Sequence, residues 1–408
     1  MVKLIQKGVY FKNGKLIRAK GVDENARKGT MAYKILSAHN LSNDDKKLNV
    51  KFDEITSHDI TYVGIIQTAK ASGLDKFPLP YTLTNCHNSL CAVGGTINED
   101  DHVFGLSAAK KYGGAFVPPH LAVIHQYMRE MRAFCGGMIL GSDSHTRYGA
   151  LGTLAVGEGG PELVKQLLNR TYDLDMPEIV AVNLKGRLRK GVGPHDVALA
   201  LVKATFKSGF VKNKILEFVG NGIKTLSMDF RNGIDVMTTE TTCLSSVWVT
   251  DEKTRKYYVD HGRASAYKQM NPEEGAYYDR GIVIDLSKVE PMIALPFHPS
   301  NAYTIKDFLS RPYELLKEAE EAGQKLLPEG KGQFKLTDKI IDGKVYATQG
   351  VIAGCAGGMY ENIAEASNIL GDSEVNNNDF TLDIYPSSQP VYKGLVERMP
   401  RIRKLPLT

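Results

Sequence analysis

The fold of this chain is decided by the stretch Gly137-Met138-Ile139-Leu140-Gly141-Ser142-Asp143-Ser144-His145-Thr146, whose apolar start predicts a buried strand. Residues 143–146 carry an acid, two hydroxyls and an imidazole. Burying these polar groups at the end of such a strand costs free energy, so their presence indicates that they take part in chemistry. On a turn, Asp143 can fix the tautomer of His145 and raise its pKa, which suits proton transfer. The alternative is a turn that Asp143 and Ser144 cap, in which His145 is merely hydrogen-bonded.

The composition is that of an ordered protein. The 408 residues are 42% hydrophobic and 24% charged, with a mean hydropathy of -0.24, which is enough apolar material for two or three domains. The net charge of +5 is small and the basic residues form no stripe with aromatics, so nucleic acid is not an expected partner. Without an apolar run of about eighteen residues or a signal peptide, we expect no membrane association and a cytoplasmic location.

The cysteines argue for reduced thiols, because five of them at irregular spacing do not make a disulfide framework. We expect most of them to be small buried hydrophobes. Cys355 is the exception, since it lies in a glycine turn before a predicted helix. A thiol at a helix N-terminus has a lowered pKa, which favours a nucleophile or a metal ligand.

Short apolar runs alternate with longer amphipathic runs, which predicts an α/β fold. We divide it into three units, residues 1–180, 181–290 and 291–408. In the first unit the spacing predicts a helix over residues 61–72. In the third, a charged segment between residues 309 and 332 predicts a solvated helix.

Polar residues capable of chemistry follow an apolar run at four places. These are Asn85-Cys86-His87, residues 141–145, Met237 to Glu240, and Gly354 to Gly358. In open α/β sheets, ligands bind beyond the carboxyl ends of the strands. We therefore expect these four places to line one cleft.

Each candidate also has a plainer interpretation. His125 lies in an apolar setting, where a histidine is more often a hydrogen-bonded core residue. The same holds for His87, although its place at a strand end weakens the argument. Glu240 is a single carboxylate among hydroxyls and is equally well a solvated loop acid. The glycines from 149 to 160 match neither a Walker A loop nor a dinucleotide fingerprint.

Taken in order, these segments resemble the aconitase superfamily of iron-sulfur hydro-lyases, which includes the large subunit of isopropylmalate isomerase. The stretch 141–146 looks like the family's Gly-Thr-Asp-Ser-His-Thr signature, and Ile124-His125-Gln126 stands at the expected distance before it. Ser57-His58-Asp59 is similar to the early substrate-binding region. Residues 238–242 are similar to the family's glutamate turn, and Gly354-Cys355 to the turn that supplies the first cluster ligand.

The resemblance implies three related α/β/α layered domains around a [4Fe-4S] cluster, with the family's mobile fourth domain missing. It implies dehydration and rehydration of a small hydroxy-carboxylic acid, in which an open iron acts as a Lewis acid while protein groups handle protons. By position, Cys355 is a cluster ligand. The implied acid–base residues are His87, His125, Asp143, His145 and Glu240, and the implied substrate-binding residues are His58, Asp59 and Ser144.

The chain departs from the family pattern at several of these positions. Cys86 precedes His87 where the family has an aspartate, His58 replaces a glutamine, and Val236 replaces an asparagine. The cysteine turn reads Gly-Cys-Ala-Gly-Gly, without the hydroxyl and amide side chains of the family. The departures leave the substrate open and indicate a divergent hydratase branch.

The family's other two cluster ligands form a Cys-x-x-Cys several dozen residues beyond the first, farther along than Thr408. We therefore expect a truncated or frame-shifted chain that lacks cluster and activity as it stands, its missing domain belonging to a longer protein in cis. Two alternatives stay open. One is a large subunit that receives this domain from a small subunit in trans. The other is a cluster-free binding or regulatory protein, including the RNA-binding role of relatives that lose their cluster.

Overall fold

The chain folds into layers of helix and sheet. The structure, a computed structural model, describes residues 1–86, 96–371 and 380–398. These residues form two five-stranded sheets, several smaller sheets and the helices that connect them. The predicted α/β class is confirmed.

The first sheet consists of five parallel strands. In spatial order they are Ala115–Val117, Tyr81–Thr84, Glu54–His58, Met138–Gly141 and Leu154–Gly157. Numbered by their order along the chain, the strands lie in the sheet as 3-2-1-4-5. This arrangement is doubly wound, and its switch point lies between the strands that end at His58 and Gly141. Ligand sites of such sheets lie in the crevice beyond this point.

The helices of the first unit follow the apolar spacing. They are Glu24–Arg27, Met31–His39, Asp59–Ala71, Ile97–Tyr112, Ile124–Met131 and Gly160–Leu167. The helix predicted from residue 61 begins two residues earlier, because Asp59 occupies its first turn, where a carboxylate favours the helix dipole. It buries Tyr62, Ile65 and Ala69 on one face, and Gly73 follows its end with a φ of 96°.

The second sheet combines parallel strands with one antiparallel strand from the start of the chain. Its order is Val2–Ile5, Arg280–Asp285, Ile179–Lys185, Ile215–Val219 and Ser245–Trp248. The helices in this part are Pro194–Thr205, Met228–Val236 and Glu252–Asp260. Residues 2–5 thus pair with residues 281–284, although the predicted first unit contains them. The unit boundaries themselves stay a prediction.

The third part contains a parallel pair of strands, Gln349–Ile352 and Thr381–Ile384. Its helices are Ile305–Ser310, Pro312–Gln324, Gly354–Gly357, Tyr360–Leu370 and Gln389–Arg398. The helix predicted between residues 309 and 332 is therefore shorter, because Pro312 starts it and Gly330 and Gly332 adopt positive φ beyond its end. The remaining short strands are Val9–Lys12, Lys15–Arg18, Lys47–Val50, Tyr172–Asp175, Tyr277–Tyr278, Met292–Ala294, Ala302–Thr304, Ile340–Ile341 and Lys344–Val345.

One large hydrophobic core joins the two five-stranded sheets. It contains Ile139 of the first sheet and Val180 of the second, both fully buried. Trp248 stacks on Phe218 with ring centroids 4.0 Å apart, and its indole N–H donates to Asp235. Smaller cores form in the third part. In the part of the chain that the structure describes, no helix has the length and apolar character to cross a bilayer.

Gly157 should resist substitution, because a Cβ there would lie 2.3 Å from the carbonyl oxygen of Asp143. We expect Gly157→Ala to lower the free energy of unfolding by about 1–3 kcal/mol. Gly64 is the control, since it is exposed in a helix and a Cβ added there would meet nothing within 4 Å. Gly64→Ala should raise the free energy of unfolding by about 0.4–1 kcal/mol. Urea denaturation measures both, and equal effects of the two changes would contradict the packing described.

Candidate active site

The turn at residues 142–146, which we call the Asp143 turn, directly follows the strand Met138–Gly141. The amide and the hydroxyl of Thr146 both donate to the carbonyl oxygen of Asp143, at 3.1 and 2.7 Å. The amide of His145 donates to the Asp143 carboxylate at 2.7 Å. These bonds fix the carboxylate and the adjacent imidazole at the carboxyl end of the strand, as the sequence predicts.

Three imidazoles lie around the carboxylate of Asp143 at the switch point of the first sheet. His125 donates from Nε2 to Oδ1 at 2.9 Å, and Nδ1 of His145 lies 3.5 Å from the same oxygen. His58, at the end of the neighbouring strand, places Nε2 3.6 Å from Oδ2. Residues from three separate elements therefore share one carboxylate.

His125 lies in the first turn of the helix Ile124–Met131 and is almost fully buried. Burial lowers its pKa to about 4, so the ring is neutral near pH 7. The carboxylate of Asp143 can only accept a hydrogen bond, which puts the ring proton on Nε2. Nδ1 then accepts a bond from the hydroxyl of Tyr148, 3.1 Å away. His125 is thus a buried core histidine that also belongs to the group of imidazoles around Asp143.

His145 has the opposite charge state. Its Nε2 lies 3.0 Å from Oε1 of Glu240, and its side chain is 36% exposed. Hydrogen bonds to Asp143 and then to Glu240 raise its pKa to about 9, so it is protonated near pH 7. The same contact lowers the pKa of Glu240. A neutral and a cationic imidazole therefore lie side by side, with ring centroids 6.4 Å apart.

Glu240 reaches the residues around Asp143 from a turn, as the resemblance to the family's glutamate turn implies. It lies in a 3-10 turn, Met237–Thr241, so the apolar run that precedes it belongs to the helix Met228–Val236. The threonines hold the turn by bonding back to the chain, and Thr238 donates to the carbonyl of Asp235 at 2.6 Å. Thr239 donates to the carbonyl of Ser144 at 2.6 Å and so ties the Glu240 turn to the Asp143 turn.

The residues predicted to bind substrate have three different settings. Ser144 is exposed, with its hydroxyl 3.4 Å from Nδ1 of His145. His58 is buried against Asp143, whereas Asp59 is fully buried and its carboxylate lies 3.3 Å from Nε2 of His102. Their contacts to a substrate stay a prediction. The acid–base prediction for His87 lies outside the described residues.

Cys355 lies in the short helix Gly354–Gly357, which we call the cysteine turn. Its carbonyl oxygen accepts a hydrogen bond from Nη1 of Arg129 at 2.9 Å. Burial raises the pKa of the thiol, and the Arg129 charge opposes that rise only in part. The predicted lowering of this pKa is therefore wrong, because a four-residue helix has little dipole to set against desolvation.

The described residues do not complete a cluster site. Among residues 1–86, 96–371 and 380–398, no three His, Cys, Asp or Glu side chains are grouped to hold a metal ion. A dehydratase cluster needs three thiolates. Cys135 and Cys243 are buried in the core, as predicted for small hydrophobes. Cys355, which the resemblance makes a cluster ligand, therefore has too few thiol neighbours in this part of the chain.

A cavity of about 590 Å³ opens beside the cysteine turn. Cys86 and Gly354 line it, together with Val123 and the segment from Tyr385 to Gln389. It therefore lies between the carboxyl edge of the first sheet and the third part of the chain. Of the four places predicted to line one cleft, the first and the last reach this cavity through Cys86 and Gly354, whereas Asp143 and Glu240 are not among its lining residues.

Two residues of the site were missed at the sequence level. Arg129 follows His125 by four positions, and this spacing on one helix face was the available signal. His298 lies with Nε2 3.8 Å from Oε2 of Glu240, and its ring stacks on Phe206 with centroids 3.7 Å apart. No local pattern marks His298, because both contacts are long-range.

The ion pair of His145 and Glu240 predicts a defined pH dependence. Since the pKa of His145 is raised from 6.5 to about 9, its stabilising contribution is full below pH 6.5 and is lost as the pH rises through about 9. The contribution of Glu240, whose pKa is lowered from 4.5, is lost as the pH falls below that value.

Glu240→Gln should therefore lower the pKa of His145 by roughly one unit or more, as read from its imidazole signals in an NMR titration. The stability difference from wild type should be largest near pH 6 and should shrink above pH 9. Glu329→Gln removes an exposed carboxylate that follows the helix Pro312–Gln324 and is the control. An unchanged His145 titration in Glu240→Gln would show that the ion pair does not form.

The chain is similar to known proteins of one family. The model of the aconitase family (aconitate hydratase) matches residues 33–398. Mitochondrial aconitate hydratase of Saccharomyces cerevisiae is 28% identical over 368 residues, 84% of this chain and 44% of that protein. The mitochondrial aconitate hydratase of Candida albicans is 29% identical over 343 residues, 80% and 41% of the two chains. An aconitase-ribosomal protein bL21m fusion protein of Schizosaccharomyces pombe is 29% identical over 316 residues, 69% and 34% of the two.

The chain spans less than half the length of these curated relatives. The family match nevertheless covers most of the chain and includes both the Asp143 turn and the cysteine turn. The predicted resemblance is thereby confirmed, with an identity low enough to mark a divergent member. The chain belongs to the aconitase family.

Proposed function

We propose that this chain is the part of an aconitase-like hydro-lyase that handles protons during dehydration and rehydration of a small hydroxy-carboxylic acid. The observation that supports this most is the arrangement of His125, His145 and Glu240 around Asp143. In acid–base sites, the surroundings of the titratable groups often shift their pKa values in opposite directions. The pKa of His125 is lowered and that of His145 is raised. The relatives named aconitate hydratase support the same reaction class.

His145 is the proton donor in this proposal. In its protonated form both ring nitrogens donate, and Nε2 is held by Glu240 at 3.0 Å. Nδ1 has only the longer contacts to Asp143 and Ser144, at 3.5 and 3.4 Å. It can therefore turn its proton towards a departing hydroxyl, which leaves as water, while the carbon-bound proton lost in the same dehydration would go to a base outside the described residues. In the reverse direction the neutral ring takes a proton from the attacking water.

Asp143 and His125 have a positioning role in this proposal. The buried neutral ring of His125 donates to the Asp143 carboxylate and is held in turn by Tyr148. Asp143 is thereby held next to His145, where its carboxylate raises the pKa of that imidazole and so stabilises the imidazolium. Ser144, which is exposed beside the donor, would contact a carboxylate of the substrate.

The family resemblance assigns a [4Fe-4S] cluster to such an enzyme, with Cys355 as one ligand. Because the described residues supply too few thiols, the other ligands would come from polypeptide outside them. The family's fourth domain would come from a longer protein in cis or from a small subunit in trans. A cytoplasmic location also stays a prediction.

Substrate binding can be tested on this chain without a cluster. Citrate, added to protein with 15N-labelled histidine, should shift the imidazole signals of His145 and His125 in a saturable manner. His145→Gln should weaken citrate binding by about tenfold or more, because a charge-assisted hydrogen bond is lost. His261→Gln changes a histidine that bonds to its own helix and should leave binding unchanged.

Acetate at equal ionic strength is the control for a nonspecific anion effect. We expect little response to acetate, since one carboxylate makes fewer contacts than three. If neither imidazole responds to millimolar citrate in the folded chain, the proposed function is contradicted. The same holds if citrate and acetate act alike.

A further inference from the structure

Arg129 is among the largest fully buried side chains of the described chain. It lies in the helix Ile124–Met131, four residues after His125 and therefore on the same helix face. Arginine is rarely buried completely unless its charge is paired. Complete burial of the Arg129 side chain is therefore unusual.

The guanidinium of Arg129 connects distant segments. Nη1 donates to the carbonyl oxygen of Cys355 at 2.9 Å, and Nη2 donates to the carbonyl oxygen of Asn232 at 3.5 Å. Asn232 belongs to the helix that leads into the Glu240 turn. One side chain thus joins the helix of His125, the cysteine turn and the helix before Glu240.

The charge of Arg129 lacks a carboxylate partner within the described part of the chain. No Asp or Glu oxygen of these residues lies within 4.0 Å of its nitrogens, and its Nε has no hydrogen-bond partner among them. The side-chain Oδ1 and Nδ2 of Asn232 are also buried without a hydrogen-bond partner among the described residues. A buried, unpaired cation is costly, and such a group is retained where its position serves a purpose.

We infer that Arg129 is the positioning residue that holds the cysteine turn against the helix of His125. Its bond to the Cys355 carbonyl spans 226 residues of the chain and joins two elements of the site directly. The helix Ile124–Met131 thereby sets the location of both the imidazole and the thiol. The importance of this link for catalysis rests on the proposed function, whereas the link itself can be tested independently.

The test measures how fast each cysteine is alkylated by iodoacetamide in the folded 408-residue chain, with sites resolved by peptide mass spectrometry. Arg129→Met removes the hydrogen bond while keeping an unbranched apolar stem. We expect the rate at Cys355, taken per thiolate because loss of the Arg129 charge also raises the thiol pKa, to rise by about tenfold or more, since the turn opens more often. The rates at the core residues Cys135 and Cys243 should stay unchanged.

Two further variants make the result specific. Arg129→Lys keeps the charge and one donor and should restore much of the protection at Cys355. Arg132→Met is the matched control, since Arg132 directly follows the same helix but pairs with Glu54. It should leave the Cys355 rate unchanged.

An unchanged Cys355 rate in folded Arg129→Met would overturn the inference. A uniform rise at all cysteines would overturn it as well, because Arg129 would then be a general brace of the core. These outcomes are separate from the citrate response of His145, so a failed proposed function and a failed positioning role are distinguishable.

Discussion

The hydrogen bond between His125 and the carboxylate of Asp143 is the interaction on which the rest of the site depends. It is formed at the switch point of the first sheet, between a helix residue and the turn that follows a central strand. The bond gives a neutral, buried imidazole a charged partner. It also holds that carboxylate where it raises the pKa of His145. Asp143 therefore favours the charged form of His145 and fixes the tautomer of His125, whose neutral state comes from burial.

The site is assembled by packing between parts of the chain more than by any single loop. The two large sheets share one core, and the second sheet includes the first strand of the chain. Glu240 arrives on a turn held by threonine hydroxyls, one of which bonds to the Asp143 turn. The cysteine turn is fixed from the first unit through Arg129. A displacement of any of these parts would separate the groups that lie together around Asp143.

The strand and the turn that carry Asp143 and His145 could be predicted from local sequence patterns. The apolar run before Asp143 predicted a buried strand, and the polar residues after it predicted the turn, because period and turn chemistry are local properties. The convergence of Asp143, His145 and Glu240 also followed from the family resemblance. The helix Met228–Val236 that leads into the Glu240 turn was not predicted from the sequence.

The remaining features required tertiary structure. The raised pKa of the Cys355 thiol follows from burial by distant segments, which no glycine turn reveals. His298 and Arg129 make their contacts 58 and 226 residues along the chain, at Glu240 and Cys355. The full burial of Asp59 against His102 likewise depends on how two helices pack.

The titration of His125 and His145 in Asp143→Asn, read from their 15N imidazole signals, shows whether one carboxylate sets the charge of His145 and the tautomer of His125. An asparagine keeps the shape of the side chain but removes its charge. We expect the pKa of His145 to fall from about 9 towards its ordinary value, and His125 to lose its preference for a proton on Nε2. Unchanged titration and tautomer of both rings in the folded variant would contradict the central role of Asp143.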